Sequence, residues 1–139
     1  MNEALLESLE DWLEKARADR KAVEILSAHA DCPAEVVCFH CQQYAEKVLK
    51  AILTLHGIEA PRTHDLSVLA YLALPVRPEI GALVSRIGRL SPFAVHSRYP
   101  GALEVVAQHE MNEMISLADE LGEVLLPILR REMEASEGD

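Results

Sequence analysis

The sequence predicts an all-α protein, an up-down antiparallel helical bundle of three long and about two short helices. Half of the 139 residues are hydrophobic but only 4% are aromatic, so the core must be built from Leu, Val, Ile, Ala and Met, the usual filling of a helical bundle. Apolar residues recur at three- and four-residue steps over long stretches. Most prolines and glycines fall between those stretches. A chain of this length fits one ordinary domain. Residues 1–135 are read as a single bundle and 136–139 as a short acidic tail.

Leu5, Leu6, Leu9, Trp12, Leu13, Ala16, Ala22, Val23 and Leu26 share one face from about Asn2 to Ala30, opposite Glu7, Glu10, Asp11, Glu14 and Lys15. Asp31-Cys32-Pro33 breaks this first helix, and Pro33 suits the first turn of a second that runs to about His56, where Gly57 stops it. Thr63 or Asp65 caps a short third helix ending near Leu74-Pro75. Pro78 reopens helical pattern through Ile80, Leu83, Val84, Ile87 and Leu90. Two prolines and a glycine make Ser91–Gly101 an ordered loop. The last helix is predicted from about Ala102 to Glu134, with Val105, Val106, Ile115, Ala118, Leu121, Leu125, Ile128 and Leu129 facing inward and Pro127 bending it.

The formal net charge of −10 argues against a broad DNA-binding face, because phosphate binding is driven by Lys and Arg displacing counterions. Its distribution is uneven. Between His40 and Pro100 seven cations (Lys47, Lys50, Arg62, Arg77, Arg86, Arg89, Arg98) face four carboxylates, so this segment carries a net +3 and the remainder −13. No run approaches the roughly 20 apolar residues that span a bilayer, and the start lacks the pattern of a secretory signal, so the expectation is a cytoplasmic protein with no membrane partner. Three clustered cysteines, Cys32, Cys38 and Cys41, do not resemble a disulfide framework and lack the paired half of a zinc site. Small reduced thiols buried between helices are expected, and no metal ligand set is assigned.

Three polar clusters carry the chemistry. On the second helix His40, Gln43, Lys47 and Lys50 follow one another by three, four and three residues and form one stripe. Such a stripe suits phosphate and a base or ribose, and it equally suits a solvated helix face with Gln42–Glu46 and Glu46–Lys50 as local pairs. Thr63-His64-Asp65-Leu66 lies at a helix start, whose unpaired amides attract anions unless Thr63 or Asp65 caps them. Arg98-Tyr99-Pro100 precedes the final helix. Arg98 is the best single anion ligand, since its guanidinium makes bidentate contacts with phosphate, and Tyr99 suits stacking; as a structural corner the same residues would cap carbonyls and fill the bundle mouth.

Taken in order, Phe-x-x-Gln-Gln-x-x-Glu-Lys-x-Leu-Lys-Ala from Phe39 to Ala51, Thr-His-Asp-Leu from Thr63 and Arg-Tyr-Pro from Arg98 resemble the HEPN domain, a small helical family linked to nucleotide and RNA biology. The resemblance spans roughly Trp12 to the final helix. It implies an antiparallel bundle forming a homodimer through an exposed helical face, and a nucleotide- or RNA-binding accessory protein that partners a small nucleotidyltransferase in a toxin–antitoxin-like pair. On this reading Lys47, Lys50 and Arg98 hold phosphate, while Gln43, His64 and Tyr99 orient a base or sugar. No cofactor is required, and ATP or GTP is the expected nucleotide ligand. Catalytic members of the family are metal-independent endoribonucleases with an Arg and a His four to six residues apart at the start of the last helix. Here Arg89 and His96 have six residues between them, but Pro92 lies inside the interval and the pair precedes Arg98. Relatives with a Tyr shortly before Arg-Tyr-Pro differ from this chain, which has Phe93 and Ala94 there. The alternatives are therefore a dimeric ribonuclease toxin using Arg89 and His96, or Arg98 with a His brought in by the fold, and a purely protein-binding helical module.

Overall fold

A computed structural model describes residues 1–94 and 105–137. The described residues form three long helices, α1 (Glu3–Ser27), α2 (Ala34–Leu55) and α5 (Gln108–Glu137), and two short ones, α3 (Leu66–Ala73) and α4 (Gly81–Ile87). Short 3-10 segments, Pro78–Ile80 and Gly88–Ala94, flank α4. The all-α bundle of three long and two short helices is therefore the observed architecture.

Each boundary has a local cause. Asn2 caps α1, its Oδ1 accepting the Leu5 amide at 2.8 Å. Gly57, at φ +69°, ends α2 in the left-handed region that a side chain disfavours. There its amide donates to the Thr54 carbonyl and that of Ile58 to the Leu53 carbonyl, satisfying groups the last turn leaves open. Of the two candidate caps for α3, Asp65 performs the role: its Oδ1 accepts the Ser67 amide at 3.0 Å.

α2 is the central helix. It packs against α1, α3, the Gly88–Ala94 segment and α5, and Val37, Cys38, Cys41, Tyr44, Ala45, Val48, Leu49, Ala51, Ile52 and Leu53 are all buried along it. An element covered on so many sides has little surface to spare for polar groups, which makes those it retains informative. Leu9, Leu13, Ala16 and Val23 of α1 and Met111, Met114, Leu121, Leu125 and Leu129 of α5 close the core from opposite directions. A bidentate ion pair joins the two outer helices, with Arg20 Nε and Nη2 donating to the Asp119 carboxylate at 2.8 and 3.1 Å.

Three sequence expectations are corrected. The final helix starts at Gln108 rather than near Ala102, so Val105, expected to face inward, is 91% exposed ahead of it. The apolar period continues backward through Val105 and Val106, but of the two only Val106 is buried. The segment expected to be loop from Ser91 begins instead as the end of a 3-10 stretch, with Leu90, Phe93 and Ala94 buried around Pro92. α1 also stops at Ser27, three residues before the predicted break.

Candidate functional site: two carboxylate nodes on the central helix

The predicted stripe on α2 is built around two buried carboxylates. Asp19, from α1, accepts from His40 Nδ1 at 2.8 Å and from the Lys47 ammonium. Glu46, on α2 itself, accepts at Oε1 from Gln42 Nε2 (3.0 Å) and His64 Nδ1 (2.8 Å), and at Oε2 from Lys50 Nζ (3.0 Å). Gln42, fully buried, also donates to the His64 carbonyl at 3.1 Å, and its own Oε1 accepts from Gln43 Nε2 at 2.6 Å. The Lys50 ammonium additionally lies 5.9 Å from the centre of the Trp12 ring. Three segments of chain thus meet on one face: α1 through Asp19 and Trp12, α2 through the stripe, and the strand of loop before α3 through His64.

Burial alone would push the Glu46 carboxyl up, but the hydrogen bonds from Gln42, His64 and Lys50 and the Lys50 charge outweigh it and hold the group below its ordinary value of 4.5. Glu46 is therefore ionised at neutral pH. Each of the two lysines on the face is paired with a carboxylate, Lys47 with Asp19 and Lys50 with Glu46.

Of the residues proposed for the site, Gln43 bonds Gln42, Lys47 bonds Asp19, and Lys50 and His64 both bond Glu46. Arg98, Tyr99 and His96 lie outside the described residues. The start of α3 differs from the anion site considered for it: the Leu66 amide donates to Ser91 Oγ at 3.0 Å and the Ser67 amide to Asp65, so these donors are satisfied internally. Thr63 Oγ1 accepts the Asp65 amide at 3.1 Å, which fixes the turn carrying His64.

Asp19, Gln42 and Glu46 were missed as organising residues, although each had a signal. Asp19 stands three residues after Ala16 and four before Val23, an inward position on α1, and Gln42 stands between Cys38 and Ala45 on the inward side of α2. A polar residue in an apolar register requires a partner. Glu46 was read as part of a solvated face, yet it is only 6% exposed.

The positive excess of the middle segment is offset in space by the acidic last helix. Arg86 pairs with Glu120 at 2.9 Å, Arg89 with Glu113 at 2.8 Å, and Arg77 approaches Glu132 at 3.9 Å. Arg86, Arg89, His109, Asn112, Glu113 and Ser116 line an open groove of about 410 Å³ between α4 and α5. His109 stands within electrostatic reach of Glu113, whose carboxyl is held down chiefly by its hydrogen bond from Arg89. Cys38 and Cys41 are buried, and desolvation pushes both thiols up to about 12, so they remain protonated and unreactive at neutral pH. Among the described residues no group of three or more His, Cys, Asp or Glu side chains is placed to hold a metal ion, and no helix is long and apolar enough to cross a membrane.

Searches of curated proteins and of solved structures find no match to the chain. The HEPN domain family, by contrast, matches residues 9–129, a span that runs from the first buried leucine of α1 to the last buried leucine of α5 and takes in both carboxylate nodes. An all-helical bundle centred on α2, with Gln42, Gln43 and Glu46 meeting His64 of the Thr-His-Asp-Leu turn, is thus the fold of a chain that belongs to the HEPN domain family.

Proposed function

We propose that this HEPN domain is a nucleotide- or RNA-binding accessory module, cytoplasmic and homodimeric, that works with a small nucleotidyltransferase partner in a toxin–antitoxin-like pair. The observation that carries the reading is the convergence of Gln43, Lys47, Lys50 and His64 on one face of α2 and the turn before α3, with side chains suited to a base, a sugar and a phosphate. Arg98 and Tyr99 would complete the site, and ATP or GTP is the ligand expected. A two-dimensional NMR titration with ATP, GTP and a short RNA tests it. Shifts clustered at Lys47, Lys50 and His64, reduced by Arg98→Ala and without RNA cleavage, are the expected result. If none of these ligands perturbs the face, the binding reading is wrong and a protein-binding module takes its place.

A second reading is favoured by the groove between α4 and α5, which both Arg89 and His109 line. A guanidinium and an imidazole at one site can stabilise charge at a scissile phosphate and move its proton, the two requirements of metal-independent RNA cleavage. If the protein cleaves RNA through this groove, Arg89→Ala and His109→Ala should each lower the rate by at least about 100-fold. Undiminished cleavage by either variant would remove the groove from the reaction.

A further inference from the structure

We propose that Glu46 is a positioning residue that locks His64 with its proton on Nδ1, so that Nε2 faces the ligand as an acceptor for a hydroxyl or amino group of a nucleoside rather than for its phosphate. This rests on the binding reading above and names what one residue of that site recognises.

An ionised carboxylate only accepts hydrogen bonds, so every group bonded to Glu46 must donate, and His64 can do so only through an Nδ1 proton. The surrounding bonds leave no other arrangement. Gln42 gives its amide nitrogen to both Glu46 and the His64 carbonyl, while its oxygen receives Gln43, so its orientation is set from two sides. That contact also fixes the backbone of His64, and full burial removes the freedom of Gln42 to turn. The His64 side chain is 61% exposed, and no residue among those described bonds its Nε2. A neutral imidazole held this way offers a lone pair to whatever approaches. A phosphate would meet that lone pair and two ammonium groups already matched by Asp19 and Glu46. A ribose hydroxyl or a base amino group would find the acceptor it needs. Glu46 meets the imidazole at Nδ1 and itself binds Gln42 and Lys50 of α2, while Thr63 and Asp65 bond each other within the turn that carries His64. Asp19 likewise meets His40 Nδ1, six residues before Glu46 on α2.

The experiment is a long-range proton–nitrogen correlation of the imidazole nitrogens in the labelled full chain at about pH 8, above the ordinary imidazole range. Nδ1 protonated and Nε2 bare in His64 is the expected result, and an Nε2-protonated or evenly mixed ring overturns the proposal without needing any variant. Adenosine and inorganic phosphate are then added separately. Adenosine should move His64 Nε2 while phosphate should not, and Glu46→Gln should weaken adenosine binding by roughly tenfold, the worth of one lost hydrogen bond. Shifts at Lys47 and Lys50 with ATP or RNA, but none at His64 Nε2 with adenosine, would overturn this inference and leave the binding reading standing. Silence toward every nucleoside, nucleotide and RNA would overturn both.

Discussion

Glu46→Ala is expected to destabilise the fold by about 3 kcal/mol, the low end of what breaking a buried charged network costs. The substitution strands Gln42, which is fully buried, with an amide proton whose partner has gone, and leaves the Lys50 ammonium beside Trp12 without a counter-charge at 15% exposure. His64 is the cheapest of the three to release, since water reaches it. For a chain of this size the loss corresponds to a fall in melting temperature of roughly 10 °C. Glu46→Gln should cost less, because the amide keeps one acceptor for Gln42 or His64. The pH dependence follows from the depressed carboxyl: its contribution is present above the unfolded value and is lost as pH falls through the lower folded value. Acid melting curves of the wild type should therefore steepen below about pH 4.5, and those of Glu46→Ala should lack that component. Equal stability of the two proteins at pH 7 would show that Glu46 does not organise the node.

The fold was legible because each long helix carries its own apolar period and each break has a proline or glycine to mark it. The site was legible only in outline. Periodicity tells which residues share a helix face but not which neighbour covers that face, so Glu46 reads as a solvated partner of Gln42 and Lys50 although it is buried and bonded to His64 of the turn before α3. Asp19 lies 28 residues from Lys47 and 21 from His40, a separation across which no local pattern connects them. Charge suffers the same projection. Arg77, Arg86 and Arg89 make the middle of the chain basic along the sequence, yet Glu113, Glu120 and Glu132 of α5 lie beside them in space. His109, too far along from Arg98 to match by spacing, lines the same groove as Arg89 because α4 and α5 pack together.

The second large effect is expected at Gly122, where intrinsic helix propensity and packing pull in opposite directions. Alanine in the middle of α5 should gain about 1 kcal/mol from propensity alone. Its Cβ, however, would lie 2.0 Å from Tyr44 Oη and 3.0 Å from Cζ. Rotating the ring does not help, because Oη lies on the ring's own axis and stays where it is. Tyr44 is 5% exposed on the central helix, so the clash is relieved only by moving its whole side chain or by separating α2 from α5. Overpacking of this kind costs about 3 kcal/mol, and the net loss expected from denaturant melting is about 2. Gly88→Ala is the control: its Cβ would sit 2.3 Å from Ser67 Oγ but 3.7 Å from Ser67 Cβ, and a hydroxyl that swings aside should keep the change within about 1 kcal/mol. Tyr44→Phe removes the atom responsible and leaves Cζ only a few tenths of an ångström too close. Gly122→Ala should thus be largely rescued in the Tyr44→Phe background, with a coupling of about 2 kcal/mol in the double-mutant cycle. A Gly122→Ala protein more stable than the parent would mean that propensity wins and that α5 does not approach the central helix this closely. Because α2 also carries Glu46 and the His40 and Lys47 side chains that meet Asp19 of α1, that outcome would mean that the helix bearing the candidate site is held less tightly against α5.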